Sequence, residues 1–403
     1  MSELKAYYGL PNKVRFCKKC VISNQRPSST IEFKNEKGEK KKVINFNDEG
    51  VCSACVYHDE KETRINWNER EKNLEKLLAN FRSNDGSYDV IVPGSGGKDS
   101  AFTSHILKYK YGMNPLTVTW APHQYTEIGW KNMQEWMHTG GLDNILYTPN
   151  GMLHREMTKN AFHNLLHPFQ PFIVGQRIIG PAMAKKFGVK LVMYGENQAE
   201  YGNAIEENTN PIMNMEFFSS DDLTQMKFGG VPVDDYIKSG KYQLDDFAPY
   251  IAPDKQTLID GGVEVHYLGY YLKWDPQECY YYAVENTGFQ ANPERTEGTY
   301  SKYSSIDDKI DPFHYFTTLI KFGIGRATYD AAQEVRNGKI SREEAVYLVN
   351  KYDTEFPNKY FKDFLEYIET TELEFWETVD RHRSPHIWTR EDSEWKLRNK
   401  ISK

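Results

Sequence analysis

The sequence predicts an α/β protein: a parallel sheet covered by helices, with a small cysteine-bearing module before it and a helical region after it. Three observations carry this. Short apolar runs alternate with helical patterns from Tyr88 to Tyr194, which is how a parallel sheet with both faces covered is written. The first of those runs ends in a glycine-rich turn that opens directly into a helix. Four of the five cysteines fall in two C-x-x-C pairs within the first 60 residues.

The 403 residues make two or three domains at roughly 150 residues each. The reading divides them into a module at 1–60, a connecting helix at 61–84, a sheet domain at 85–205 and a substrate-binding and helical region at 206–403. In the module the stretch Lys34 to Lys42 (KNEKGEKKK) reads as a solvated hairpin tip. Leu74, Leu77, Leu78 and Phe81 recur at helical spacing within Asn68 to Arg82, an amphipathic connector. Tyr88–Val92, Leu116–Trp120, Asn144–Tyr147 and Val189–Tyr194 are strands, with helices through Lys108 and from Glu127 to His138 between them. Residues 206–262, rich in Asn, Asp, Gly and Pro, read as loops with short helices, and from Pro312 to the end the pattern is helical.

Fifty basic against 57 acidic side chains leave a net charge of −7, which argues against an extended nucleic-acid surface. No apolar run approaches the roughly 20 residues of a membrane helix, and MSELKAYYGLPNKVRFCKKC lacks the apolar stretch of a signal peptide. A cytoplasmic protein is expected. In a reducing cytosol, Cys17-x-x-Cys20 and Cys52-x-x-Cys55, about 30 residues apart, fit a tetrahedral Cys₄ zinc ribbon. Unligated thiols or an iron–sulfur cluster are the alternatives the spacing leaves. A filled Cys₄ site has no open position, so the role expected of it is structural. Cys279, beside three tyrosines, reads as a buried small hydrophobe.

The turn after the first strand is Pro93-Gly94-Ser95-Gly96-Gly97-Lys98-Asp99-Ser100. Small residues at a helix N-terminus present backbone N–H groups and a positive dipole end to an anion. A Walker loop is excluded because Asp99 follows Lys98 and position 92 is Val; a dinucleotide fingerprint is excluded because position 99 is not Gly. Ser-Gly-Gly-Lys-Asp-Ser resembles the pyrophosphate (PP) loop of the ATP-pyrophosphatase superfamily, with its adenine-nucleotide alpha-hydrolase type of sheet. That resemblance implies ATP cleaved to AMP and pyrophosphate as a substrate oxygen is adenylated. By it, Pro93 to Ser100 bind the nucleotide, Ser95, Gly96, Gly97 and Ser100 cradle pyrophosphate, Lys98 adds charge and Asp99 holds Mg²⁺.

Together the paired knuckles, PGSGGKDS, TWAPHQYTEIGWKN (from Thr119), HPFQPF (from His167), YGENQAEYGN (from Tyr194) and KFGIGRAT (from Lys321) resemble the bacterial N-acetyl-sugar amidotransferase family of surface-polysaccharide and nonulosonate pathways. The resemblance implies conversion of a sugar acetamido group to an acetamidino group, with ammonia drawn from a separate glutaminase. The Gly-Glu step after the fourth strand resembles the asparagine-synthetase branch, which implies that Glu196 and Glu200 serve metal and pyrophosphate, Glu200 as a second Mg²⁺ ligand or a substrate contact. The adenylation chemistry needs a cation for developing charge, and Lys321 and Arg326 are the candidates. His123, Asn132, His167, Gln170, Asn197 and Tyr201 are the candidate sugar contacts. The chain begins Met-Ser-Glu and shows no glutaminase nucleophile of its own. Two rivals share features: tRNA-thiolation enzymes share the loop and often the ribbon, but generally need catalytic cysteines near the loop or a further metal-cluster set; a zinc-ribbon adaptor with a vestigial fold conflicts with an intact Asp99 and both serines.

Overall fold

The computed structural model describes residues 4–203, 210–220, 222 and 226–402. Four strands fall where the apolar runs place them: β1 (Val90–Pro93), β2 (Pro115–Trp120), β3 (Asp143–Tyr147) and β4 (Leu191–Tyr194). A fifth, Glu264–Tyr267, joins the far edge, and the order is β3-β2-β1-β4-Glu264–Tyr267, with every pair parallel. The loop-rich reading beyond residue 205 missed that strand. It is four residues long, and its pairing with β4 defines it more than its own pattern does. The boundary between residues 205 and 206 lies outside the described residues.

Helices α3 (Lys98–Tyr109), α4 (Glu127–His138), α5 (Gly151–Leu165) and α6 (Gln170–Phe187) make the crossovers. β1, β2 and the first three residues of β4 are buried on both faces, as doubly covered strands must be. The N-terminal module has little regular structure before α1 (Ser53–Thr63), and α2 (Trp67–Phe81) is the connector, buried through Leu74 and Leu78. The expected solvated tip is instead partly docked: Asn35 is buried, and Glu36 pairs with Lys227 of a hairpin at 227–232. Lys34, Lys37, Lys40 and Lys42 remain exposed as expected, and Lys41 pairs with Glu39 inside the stretch; the contact of Glu36 with distant chain is what local composition does not encode.

The C-terminal region is helical from Asp311 to Arg381 and then ends in a hairpin, Trp388–Glu391 against Glu394–Leu397. The all-helical expectation fails there because Asp392 and Ser393 both take positive φ, 50° and 70°. Two consecutive left-handed residues make the tight turn that matches strand twist. The cysteine module packs its apolar face on Ile324 and on the helices that carry Ala331, Ala345 and Val349, so the two ends of the chain share one core.

Candidate active site

The chain leaves β1 toward β2 on one side of the sheet, while β4 lies on the other side of β1. This is the topological switch point, and ligands of open α/β sheets bind in the crevice beyond the strand ends there. A cavity of about 600 Å³ occupies it, lined by all of Pro93–Ser100, by Tyr194 at the end of β4 and Gly195, Glu196 and Tyr201 after it, and by residues of the C-terminal region.

Glycine is required in the loop by contact. A Cβ on Gly94 would sit 2.2 Å from the Ser100 Cβ, and Gly96, at φ +80°, would bring one to 2.9 Å from the Met133 Cα of α4. The chain can therefore turn tightly against α4 and start α3 without a side-chain cap at Gly97. First-turn N–H groups left uncapped at a helix start suit an anion. Lys98 Nζ donates to Asp99 at 2.5 Å, the Trp274 indole donates to the other Asp99 oxygen at 3.2 Å, and Ser95 Oγ donates to Asp307 at 2.9 Å. Burial depresses the Lys98 ammonium, but Asp99 and Glu196 outweigh it and hold the proton on.

Glu196 lies beyond β4 in the same cavity. Burial and then the Asp99 charge push its carboxyl up to about 7, against the opposing Lys98 charge and a hydrogen bond from Tyr201. Burial and Glu196 in turn push the Tyr201 phenol up. Two half-buried carboxylates lining one cavity suit a cation between them and phosphate. Mg²⁺ commonly takes one or two carboxylates and completes its shell with phosphate and water, so Asp99 fits that role and Glu196 faces the same space.

The opposite wall comes from beyond residue 297. Tyr303, Ser304, Ser305, Ile306 and Asp307 cross the cavity as a strap. Thr126 and Asp308 fasten it to the start of α4, the first through Ile306 and the second through the His123 and Gln124 backbone. Gly129 makes room for it, since a Cβ there would be 2.5 Å from the Asp307 Cα. Next come His314, Tyr315 and Thr318 of the helix Asp311–Phe322, and Arg326, Tyr329, Asp330 and Gln333 of the helix Arg326–Arg336. Arg326 is held 3.1 Å from Asp330 and 4.3 Å over the Tyr315 ring. The Asp353 carboxylate accepts from the Gly325 and Thr328 N–H groups at 2.9 and 2.8 Å and so anchors the helix that aims Arg326.

Several expected site residues are elsewhere. Lys321 is buried outside the cavity wall, and its Nζ donates to the Leu165 carbonyl at 3.0 Å; burial pulls its ammonium down to about 7. His123 is a core residue on Asp308, 2.8 Å away, packed among His154, Phe169 and Phe172. His167 lies 3.3 Å from Glu32. Gln170 is fully buried, donating to the Glu32 and Lys227 carbonyls and accepting from Gly229 N–H. Asn197 caps the short 3₁₀ turn Gln198–Tyr201 and meets Tyr57. Glu200 forms a buried ion pair with Lys61 at 2.7 Å, which removes it as a Mg²⁺ ligand. These polar groups are buried with partners of their own, which sequence cannot distinguish from partners on a ligand. Asn132 does reach the cavity wall, yet its amide is occupied by the Gln290 backbone at 2.9 and 2.8 Å. Sequence reading missed Asp307, Trp274, Arg177 and Tyr303 in the cavity wall; SSIDDK offered an acidic pair but no periodicity, and the others no signal.

Cys17, Cys20, Cys52 and Cys55 are all buried, with their sulfurs within 4.8 Å of one another. The Cys17–Cys55 and Cys20–Cys52 sulfurs are 3.9 and 3.7 Å apart. Tetrahedral zinc–thiolate bonds of about 2.3 Å place sulfurs about 3.8 Å apart, so the set fits zinc with no fifth donor among the described residues. Cys279 is buried in the helix Pro276–Thr287.

Residues 297–402 match the family model described as LPS biosynthesis protein WbpG-like, C-terminal domain. The likeness is to these residues alone. The match agrees with the sugar-amidotransferase resemblance of the motifs, and the WbpG-like region is the one that supplies Tyr303, Asp307, His314 and Arg326 to the cavity. A stretch of 82 residues is 35% identical to the uncharacterized protein MJ1599 of Methanocaldococcus jannaschii, covering 19% of this chain and 27% of that protein. The chain thus spans about a quarter of the length of the curated relative it matches. Among solved structures, the NH3-dependent NAD synthetase of Campylobacter jejuni is similar at TM-score 0.27 and 14% identity over 34% of this chain and 59% of that one. The NMN synthetase of Francisella tularensis is similar at TM-score 0.30 and 14% identity over 74% and 96%. Likenesses this loose carry no argument; the fold assignment rests on the sheet order and on the loop at its switch point.

Proposed function

We propose that the protein is an ATP-dependent amidotransferase of surface-glycan synthesis that converts a sugar acetamido group into an acetamidino group. The observation that carries the reading is the cavity itself, with a PP-type loop on one wall and a WbpG-like region on the other. An amide carbon is a poor electrophile because its nitrogen donates into the carbonyl. Attack of the carbonyl oxygen on the α-phosphorus releases pyrophosphate and leaves an imidoyl-AMP. Ammonia then adds to that carbon, AMP departs with the former carbonyl oxygen, and an amidinium remains.

The chain's own residues fit these needs. Ser95, the N–H groups at the start of α3 and Lys98 receive the leaving pyrophosphate. Asp99, with Glu196 facing it, would hold Mg²⁺, which when bound offsets phosphate charge. Arg326, carried on a helix anchored by Asp353, supplies a fixed cation. Glu196 is the cavity carboxylate placed to take a proton from the incoming nitrogen. Four cysteines are gathered in the metal cluster and the fifth is buried, which supports ammonia from a separate glutaminase.

The test is incubation with ATP, Mg²⁺, ammonium and diacetamido sugars, free or nucleotide-linked, read by mass spectrometry for a loss of about 1 Da as NH replaces O. Free ammonium should support turnover that rises toward about pH 9, because only NH₃ attacks. Glutamine should support it only when a glutaminase is added. Glutamine-dependent turnover by the pure chain would overturn the ammonia source, and AMP formation that needs tRNA instead of sugar would replace the whole reading with thiolation.

A further inference from the structure

The loop after β4 is fastened to the cysteine module. Ser53 Oγ donates to the Gly202 carbonyl at 2.9 Å, the Asn197 amide donates to the Tyr57 hydroxyl at 3.3 Å, and Arg336 reaches the Glu200 carbonyl at 3.0 Å. Gly202, at φ +79°, lies so close that a Cβ would be 2.5 Å from the Ile44 side chain. At the centre is Lys61, 1% exposed and six positions after Cys55 on α1. Its ammonium bonds the Glu200 carboxylate at 2.7 Å and also the Trp274 carbonyl.

We propose that Lys61 is a positioning residue for the two cavity carboxylates, Asp99 and Glu196. This rests on the functional reading only in taking the cavity as the reaction site. One arm runs through Trp274, whose carbonyl Lys61 holds and whose indole N–H donates to Asp99 at 3.2 Å. The other runs through Glu200, which shares the turn Gln198–Tyr201 with the tyrosine hydrogen-bonded to Glu196. A buried ion pair is a poor device for stability, since well-packed apolar residues of similar volume often serve as well or better. What it adds is direction: one ammonium sets the place of a turn and of a backbone carbonyl together. The helix α1, which carries Cys55 of the metal cluster as well as Lys61, thereby sets the geometry of a cavity whose wall it does not form.

The experiment uses the full chain with Lys61→Met/Glu200→Leu, which removes both buried charges at once, and Trp274→Phe, which removes only the indole donor. We expect the double variant to keep one zinc per chain and one ATP bound per chain, with Tm lowered only by the orphaned Trp274 carbonyl. Its kcat should fall about tenfold with KM for ATP within about twofold, the signature of lost transition-state geometry. Trp274→Phe should lower kcat about threefold with no change in Tm. Equal kcat per ATP-binding chain in both variants and wild type would make the pair merely structural and overturn the proposal. Should the double variant not fold, Trp274→Phe decides alone, and an unchanged kcat overturns it. A wild-type chain inactive on every acetamido sugar counts against the functional reading instead. Amide exchange of peptides over 95–100 and 195–203 then decides: faster exchange in both for the double variant supports the positioning, and unchanged exchange sinks it.

Discussion

Residues 93–100 and 321–328 are both eight-residue motifs, yet the cavity takes every residue of the first and only Arg326 of the second. The first is one stretch of backbone crossing the end of a strand, and its small side chains leave the backbone itself as the binding surface. The second ends one helix and begins another, with Gly323 at φ +66° between them. Five positions therefore turn Lys321 into the core and Arg326 into the cavity. A contiguous loop is a site by its local geometry, whereas a motif split over two helices contributes only what their packing lets through.

That contrast is open to direct test. The largest effect is expected inside the loop, where Asp99→Asn should lower kcat about a hundredfold or more with no change in Tm. Retention of more than about a tenth of wild-type turnover, under 1.4 kcal/mol, would remove Asp99 as a metal ligand; Ser95→Ala should fall in the same direction. Next is the cysteine module, since structural zinc and folding are coupled. Cys17→Ser or Cys52→Ser should lose one equivalent of metal and lower Tm, and elemental analysis showing iron or no metal in the wild type would reject zinc.

The split motif predicts opposite behaviour for its two cations. Arg326→Gln should lower kcat by about tenfold to a hundredfold in chains that stay folded, with some loss of Tm as Asp330 loses its partner. Lys321→Met should instead leave kcat within about threefold, while the orphaned Leu165 carbonyl costs about 1–3 kcal/mol in denaturant unfolding. If Lys321→Met matches Arg326→Gln in kcat, the contrast fails. pH sharpens it. Folded Lys321 releases its proton near 7, against 10.5 for the free side chain. Between those values the unfolded chain binds the extra proton, so stability rises with pH. Lys321→Met should flatten that rise, and parallel curves would place the titrating group elsewhere. Smallest of all, Cys279→Ala should leave turnover within about twofold, because its thiol is a buried packing group; loss of activity there would revive sulfur transfer.

By itself the sequence determined the four sheet strands after the connector, the loop that closes the first of them and the two metal knuckles. Each is a local matter: apolar runs set strands, glycine contacts set the loop, and a turn at Cys17–Cys20 and a helix start at Cys52–Cys55 set paired thiolates. It did not determine Glu264–Tyr267, the terminal hairpin or the strap at 303–307, whose places depend on partners far along the chain. The polar candidates divide in the same way. Asp99 and Glu196 follow strand ends and reach the cavity, as the topology of a parallel sheet requires. Lys321, His123, His167, Gln170, Asn197 and Glu200 found protein partners instead. Only the tertiary structure decides between those outcomes, because a buried polar group must be satisfied by something, and a residue's chemistry does not say whether its partner will be a ligand or the chain itself.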